Sequence, residues 1–387
     1  MAAVRGLGWL PDYAKTLSVW LKNHYIQSMA NIDEYLKWRG DLVLCDETFS
    51  PIDMLIFSEL VYTPLENIDP SCYGKKLSEI QPLVYPEGLV NPTSFMDEEL
   101  FYLWTQIIDY RRFADVRLVN FVSKFDVSNQ MQFAAATFVF GKMMFIAFRG
   151  TDASIIGWKE DLNMGYETPI PSQTEAVAYI DSVSVRNKDI YLCGHSKGGN
   201  LAMYGGAFCK KPKRIKAIYS FDGPGFDDDV LASKKWMATM GKVSSYIPES
   251  SIIGMILSHS CEYTIVKSDN VGIKQHDPFN WHIEAGKFEE VADTSFTSKL
   301  FRETMRKFLV TCPTEQRRVL VETVFKIIEA SGATITNDIL PGLFKHLGDV
   351  RRILQEVPEK DKQALSQMGR IFADAGSTSF RLLMSKL

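Results

Sequence analysis

Short apolar runs separated by helical stretches fill the middle of the chain, and their alternation predicts an α/β architecture. The segment 116–122 (VRLVNFV) alternates apolar and polar positions, while 133–140 (FAAATFVF) and 143–148 (MMFIAF) are separated only by Gly141-Lys142, the form of a β-hairpin. The run 143–148 is apolar throughout, as a strand buried on both faces requires. Further strands are predicted at 189–194 (DIYLCG), 215–221 (IKAIYSF) and 262–267 (EYTIVK), with a last one near 281–285. Helices are predicted at about 172–186, 198–209, 227–242 and 250–258. The alternation between residues 113 and 290 implies a mostly parallel sheet whose hairpin forms an antiparallel edge.

The flanks are helical in pattern. Residues 12–37 carry Leu17, Leu21, Tyr25 and Met29 on one side. Ser50 is an N-cap with Pro51 at the first helical position, followed by the stripe Ile52, Leu55, Ile56, Leu60. Residues 63–95, rich in proline, glycine and serine, read as a long irregular connection before a helix at 97–111. Past residue 290 come helical segments at 295–310, 314–330, 337–355 and 359–385, broken at Pro313, Gly332, Pro341 and Pro358. Three regions are expected: N-terminal helices (1–112), an α/β core (113–290) and a C-terminal helical subdomain (291–387) that serves as packing, cap or partner surface, including self-association.

Composition narrows the classes. With 387 residues, 46% hydrophobic and 12% aromatic, the chain can bury a large core. A net charge of -4 with acids and bases intermixed gives no reason to expect nucleic acid or an anionic membrane surface. The six cysteines are scattered without CxxC pairs, which argues against a metal site or disulfide framework and leaves no cofactor implied. No signal-peptide h-region and no run of about 18 apolar residues is present, so a cytoplasmic location with reduced thiols is expected.

The chemistry centres on Asp189-Ile-Tyr-Leu-Cys-Gly-His-Ser-Lys-Gly-Gly-Asn-Leu-Ala202. Gly194, Ser196 and Gly198 form a GxSxG pattern, in which a serine sits on a strained turn between strand and helix. Only glycine lets the helix pack under that turn, and the helix N-terminus, with the free amide of Lys197, could stabilise an oxyanion at Ser196.

The segment FRGTD, from Phe148 to Asp152, followed by Trp158 and Asp161 and then by GHSKGG, resembles the class 3 triacylglycerol lipases. The longer patterns GHSKGGNLA, SFDGPGF and QHDPFNW resemble a bacterial, lipase-like family more closely, over residues 30–290. The resemblance implies an α/β-hydrolase fold and a serine esterase acting on acyl esters or lipids. Two departures stand out: Lys197 replaces a usually apolar residue, and no histidine follows the last strand at the lipases' usual position.

A nucleophilic serine needs a base and an orienting acid. Among the six histidines, His24 and His346 lie in helical flanks, His195 is the variable residue of the turn, His259 ends a helix, and His282 reads as a satisfied structural histidine within a strand. His276, in the loop Gln275-His276-Asp277-Pro278, is the candidate base. Two acids stay open. Asp222 ends the strand after the nucleophile's unit and is favoured; Asp269 ends the following strand, where the lipases suggest the acid, but only seven residues separate it from His276. By resemblance, the amide of Thr151 joins that of Lys197 as oxyanion donor, while the Lys197 ammonium either attracts an anionic substrate group or lies solvated. The expected activity is carboxylic ester hydrolysis, with thioesterase or acyltransferase chemistry, or a noncatalytic binding role, as alternatives.

Overall fold

The computed structural model describes residues 31–330, except 46, 47, 91, 93, 95 and 184–186, and scattered positions between 348 and 370. Among the described residues, seven strands hydrogen-bond in sequence order: β1 (Arg117–Asp126), β2 (Met131–Phe140), β3 (Met143–Phe148), β4 (Asp189–His195), β5 (Ile215–Phe221), β6 (Val243–Pro248) and β7 (Tyr263–Val266). β1, β2 and β3 pair antiparallel, and β3 through β7 pair parallel. Most of the expected helical segments at 337–355, 359–385 and 12–37 lies outside the described residues; from the last, Ile32–Arg39 is a helix.

Strand side chains alternate between two cores. Phe138, Phe145, Cys193 and Phe221 face the N-terminal layer, where the helix Pro51–Leu60 packs on β3 and β4. Phe57 of that helix stacks on Phe145 at 4.5 Å. Met144, Ile146, Phe148 and Leu192 face the other way, onto the paired helices Pro171–Val183 and Lys197–Phe208. This mostly parallel sheet, buried between helical layers, is the α/β-hydrolase fold. The helices Phe296–Thr311 and Thr314–Ala330 lie against the turn Ile253–Met255 and the helix Ile155–Asn163. Among the described residues no helix is long and apolar enough to cross a membrane.

Register positions the site. Phe148 pairs with Gly194, His195 with Phe221, and Phe221 with Tyr246, so β3, β4 and β5 end level with one another. The residues that follow, Arg149 to Thr151, Ser196 and Asp222, gather along one carboxyl edge, where open parallel sheets hold their ligands.

Several local expectations are corrected. Residues 77–84 form a helix within the segment expected to be irregular, because Leu77, Ile80 and Val84 bury on one face despite Pro82. The helix expected at 227–242 is two short ones, Asp228–Leu231 and Lys234–Met237, each started by its own cap (Asp227, Ser233). β6 has no counterpart among the predicted strands, since Ser244 and Ser245 dilute its apolar signal. The helix expected at 250–258 reduces to the single turn Ile253–Met255. The last predicted strand is only Ile283–Glu284, paired with Lys287–Phe288 outside the main sheet.

Candidate active site

Ser196 adopts φ +58 and ψ −134 between β4 and the helix Lys197–Phe208. A non-glycine residue at positive φ is strained, and here the surroundings impose it. The Ser196 amide donates to the Phe221 carbonyl at 2.9 Å, and a Cβ on Gly198 would sit 2.1 Å from the Phe148 carbonyl oxygen. The turn is therefore clamped between β3 and β5, with Ser196 facing a cavity of about 1590 Å³.

His276 faces the same cavity from the end of the turn Gly272–His276. Its Nδ1 lies 2.6 Å from Asp222 Oδ2. Asp222, fully buried, also accepts from Ser251 Oγ at 2.5 Å and from the Gly254 amide at 3.1 Å through Oδ1. Its own amide donates to the Tyr246 carbonyl on β6. The His276 loop is braced by Gln275, whose Nε2 donates to the Asn270 carbonyl at 2.7 Å, and by Trp281 Nε1, which donates to the Gln275 carbonyl at 2.8 Å.

Asp269 is elsewhere engaged: its Oδ1 lies 2.5 Å from Nε2 of His282, whose Nδ1 faces Glu289 at 2.9 Å. His282 is thus held between two carboxylates. His259 bonds the Gly254 carbonyl through Nε2, and burial holds it below the usual imidazole range. Asp277 accepts from the Phe279 amide and from Asn280, a cap for the turn Pro278–Asn280. Burial, with Glu99 nearby, pushes its carboxyl up to about 7.

A family model described as Mbeg1-like matches residues 107–326, more than half of the 387-residue chain. The chain belongs to the Mbeg1-like family. No curated protein matches it. Solved structures that it is similar to include the Lip2 lipase from Yarrowia lipolytica (13% identity, 62% of this chain and 85% of that one, TM-score 0.35). Others are the M37 lipase (14%, 54% and 70%, TM-score 0.34) and the extracellular lipase LipA from Serratia marcescens (15%, 57% and 44%, TM-score 0.33).

In this Mbeg1-like chain the second wall of the site follows β3. Thr151 Oγ1 donates to Asp161 Oδ2 at 2.5 Å, and the Gly150 amide donates to the Tyr62 hydroxyl at 2.9 Å, which fixes the backbone around Thr151. Burial pushes the Asp161 carboxyl up to about 6, against the pull of the Lys197 ammonium and the Thr151 hydroxyl.

The Lys197 ammonium is neither solvated nor available to a substrate. It is fully buried and donates to the Gln132 carbonyl (3.0 Å), Gln132 Oε1 (3.0 Å) and Glu160 Oε2 (2.9 Å), which uses all three of its protons. Glu160 in turn accepts from the amides of Gln132 and Ser172. Both readings of this side chain from sequence are corrected: its ammonium ties the helix that follows Ser196 to β2 and to the helix Ile155–Asn163. Its partner had a signal, since adjacent carboxylates at Glu160-Asp161 follow the FRGTD segment.

One part of the cavity wall is apolar, while Asp97, Glu98, Glu99, Lys274 and Arg317 line other parts of it. Phe301, Met305 and Leu309 of the helix Phe296–Thr311 line the apolar part at helical spacing, together with Leu320 and Val321 of the next helix and Ile256. Sequence reasoning missed Ser251, Tyr62 and Glu59. The last had a trace, a carboxylate that follows the apolar stretch Met54–Phe57 inside the helix Pro51–Leu60.

Proposed function

We propose that this chain is a serine hydrolase of carboxylic esters that works through an acyl-enzyme on Ser196. The observation that carries this reading is the His276–Asp222 couple at 2.6 Å, on a loop that faces the same cavity as Ser196. Asp222 keeps the proton on Nδ1 and leaves Nε2 free to accept. His276 takes the Ser196 proton as Oγ attacks the acyl carbonyl, and the main-chain amides of Thr151 and Lys197 stabilise the oxyanion. As the tetrahedral intermediate collapses, the carbon–oxygen bond to the leaving alcohol breaks and His276 returns the proton to that oxygen. Water then attacks the acyl-enzyme with His276 again as base, and the carboxylic acid leaves.

The apolar wall beside Ser196 favours an acyl lipid or lysolipid over a small polar ester. Thioester hydrolysis would use the same groups. The test is hydrolysis of p-nitrophenyl esters from acetate to dodecanoate by wild type, Ser196→Ala and His276→Ala. The reading requires turnover that both substitutions abolish; turnover that survives Ser196→Ala contradicts it.

A further inference from the structure

Directly behind Ser196, the proposed mechanism leaves a buried ionisable pair unused. Glu59, near the end of the helix Pro51–Leu60, and His195, the last residue of β4, are both almost wholly buried, with Glu59 Oε1 3.3 Å from His195 Nδ1. The other ring nitrogen, Nε2, lies 2.8 Å from the carbonyl oxygen of His276. The two imidazole rings, of His195 and His276, also lie close, with centroids 4.5 Å apart and planes tilted by 36°.

The hydrogen positions follow by elimination. A carbonyl oxygen only accepts, so the bond to His276 requires a proton on His195 Nε2. Two arrangements then remain for Nδ1 and Glu59: an imidazolium facing a carboxylate, or a neutral imidazole whose Nδ1 lone pair faces a carboxylic acid. Among the described residues, neither Glu59 oxygen nor His195 Nδ1 makes a hydrogen bond; the pair is in contact at 3.3 Å without being aligned, and no third group settles the charge. Two isolated charges at full burial are costly, whereas the neutral pair needs only one O–H donor.

We propose that Glu59, as a neutral carboxylic acid, donates to His195 Nδ1 and so fixes the Nε2–H tautomer through which His195 holds the main chain of His276 against the Ser196 turn. His195 and Glu59 are then positioning residues, acting through the base and touching no substrate. The surrounding groups agree with neutrality. Burial and Asp277 drive Glu59 well above the usual carboxylate range, and burial and His276 drive His195 well below the usual imidazole range. Tyr62, which donates to the His195 carbonyl at 3.3 Å, and Cys193 are both pushed up by burial, so the surroundings penalise charge.

The functional half of this inference rests on the Ser-His-Asp reading above; the tautomer half does not. The experiment therefore has two arms, on the full chain as wild type, Glu59→Gln and Glu59→Leu. In the first, two-bond nitrogen–proton correlations of the histidine rings are recorded from about pH 5 to pH 8. Neutral Nε2–H His195 in wild type and Glu59→Gln is expected; a doubly protonated ring, or an Nδ1–H tautomer, overturns the proposal whether or not the protein is an enzyme. In the second, kcat/KM for a short p-nitrophenyl ester is followed against pH.

The Gln amide can donate to Nδ1 as the acid does, so Glu59→Gln should stay within a few-fold of wild type with its pH profile unmoved. Glu59→Leu fills the space without a donor, and its kcat should fall about tenfold to a hundredfold at little changed KM, the scale of a misplaced catalytic group. A Glu59→Gln variant as impaired as Glu59→Leu would mean that the carboxylate is required and contradicts the neutral pair. An unimpaired Glu59→Leu contradicts the positioning role. If Glu59→Leu does not fold, the Glu59→Gln profile and the ring tautomer still decide. If wild type turns over no ester while His195 is the neutral Nε2–H tautomer, the hydrolase reading has failed and the positioning claim falls with it, leaving the pair as a structural contact.

Discussion

Asp222 Oδ2 lies 2.6 Å from His276 Nδ1, while Asp269, seven residues before that histidine, bonds His282. The separation favours one of the two carboxylates that sequence left open. A short loop cannot turn the His276 ring toward Asp269, but it can deliver the ring to the end of β5. Asp222→Asn should therefore lower kcat by about 10³- to 10⁴-fold through loss of the correct tautomer. Asp269→Asn should stay within a few-fold. Steady-state kinetics of the two variants checks this; the reverse order would move the acid to the other strand.

Lys197 is buried against Glu160 rather than offered to substrate. Removing one member strands the other's charge. Lys197→Met should cost about 3–5 kcal/mol, and replacing Glu160 by Leu in the same chain should recover a large part of it. Urea denaturation of the single and double variants measures both. A stable Lys197→Met protein would show that Glu160 had never relied on the ammonium.

The apolar face of the helix Phe296–Thr311 should set acyl-chain selectivity. Met305→Trp and Leu309→Trp intrude on the cavity beside Ser196. Each should shift the preferred p-nitrophenyl ester toward shorter chains, with acetate turnover unchanged within a few-fold. An unchanged profile would mean that the acyl chain leaves the site by another wall.

Much of this was readable in the chain. The hairpin, the apolar β3 and the GxSxG turn each have local signatures, because hydrophobic period and glycine placement are local properties. That Asp222 and Ser196 share one sheet edge was also legible, from the order of strands and helices. What was not legible depends on contacts far apart in sequence. β6 looks polar because Ser244 and Ser245 are accommodated only once β5 and β7 flank them. Lys197 reads as a surface charge until Glu160 and Gln132 are brought beneath it by the fold. Ser251, which holds Asp222, is one serine among many, and no spacing rule marks it.

Stability should depend on pH through Asp277. Its carboxyl is raised from an ordinary 3.8 to about 7 in the folded chain. A raised carboxyl favours folding while it is protonated in both states. That contribution is lost as pH rises from about 4 through about 7, at about 1.4 kcal/mol for each pH unit crossed. Asp277→Asn removes the titration. Its melting temperature relative to wild type should climb across that window and level off above it. A constant offset from acid to neutral pH would show that Asp277 is ionised throughout.

The most direct measurement is fluorophosphonate labelling of the folded chain followed by mapping of the modified peptide. The account predicts a single phosphonylated residue, Ser196, with labelling lost in Ser196→Ala and slowed strongly in His276→Ala. A folded wild-type protein that takes up no label, or takes it up at another residue, would contradict an activated serine at this turn.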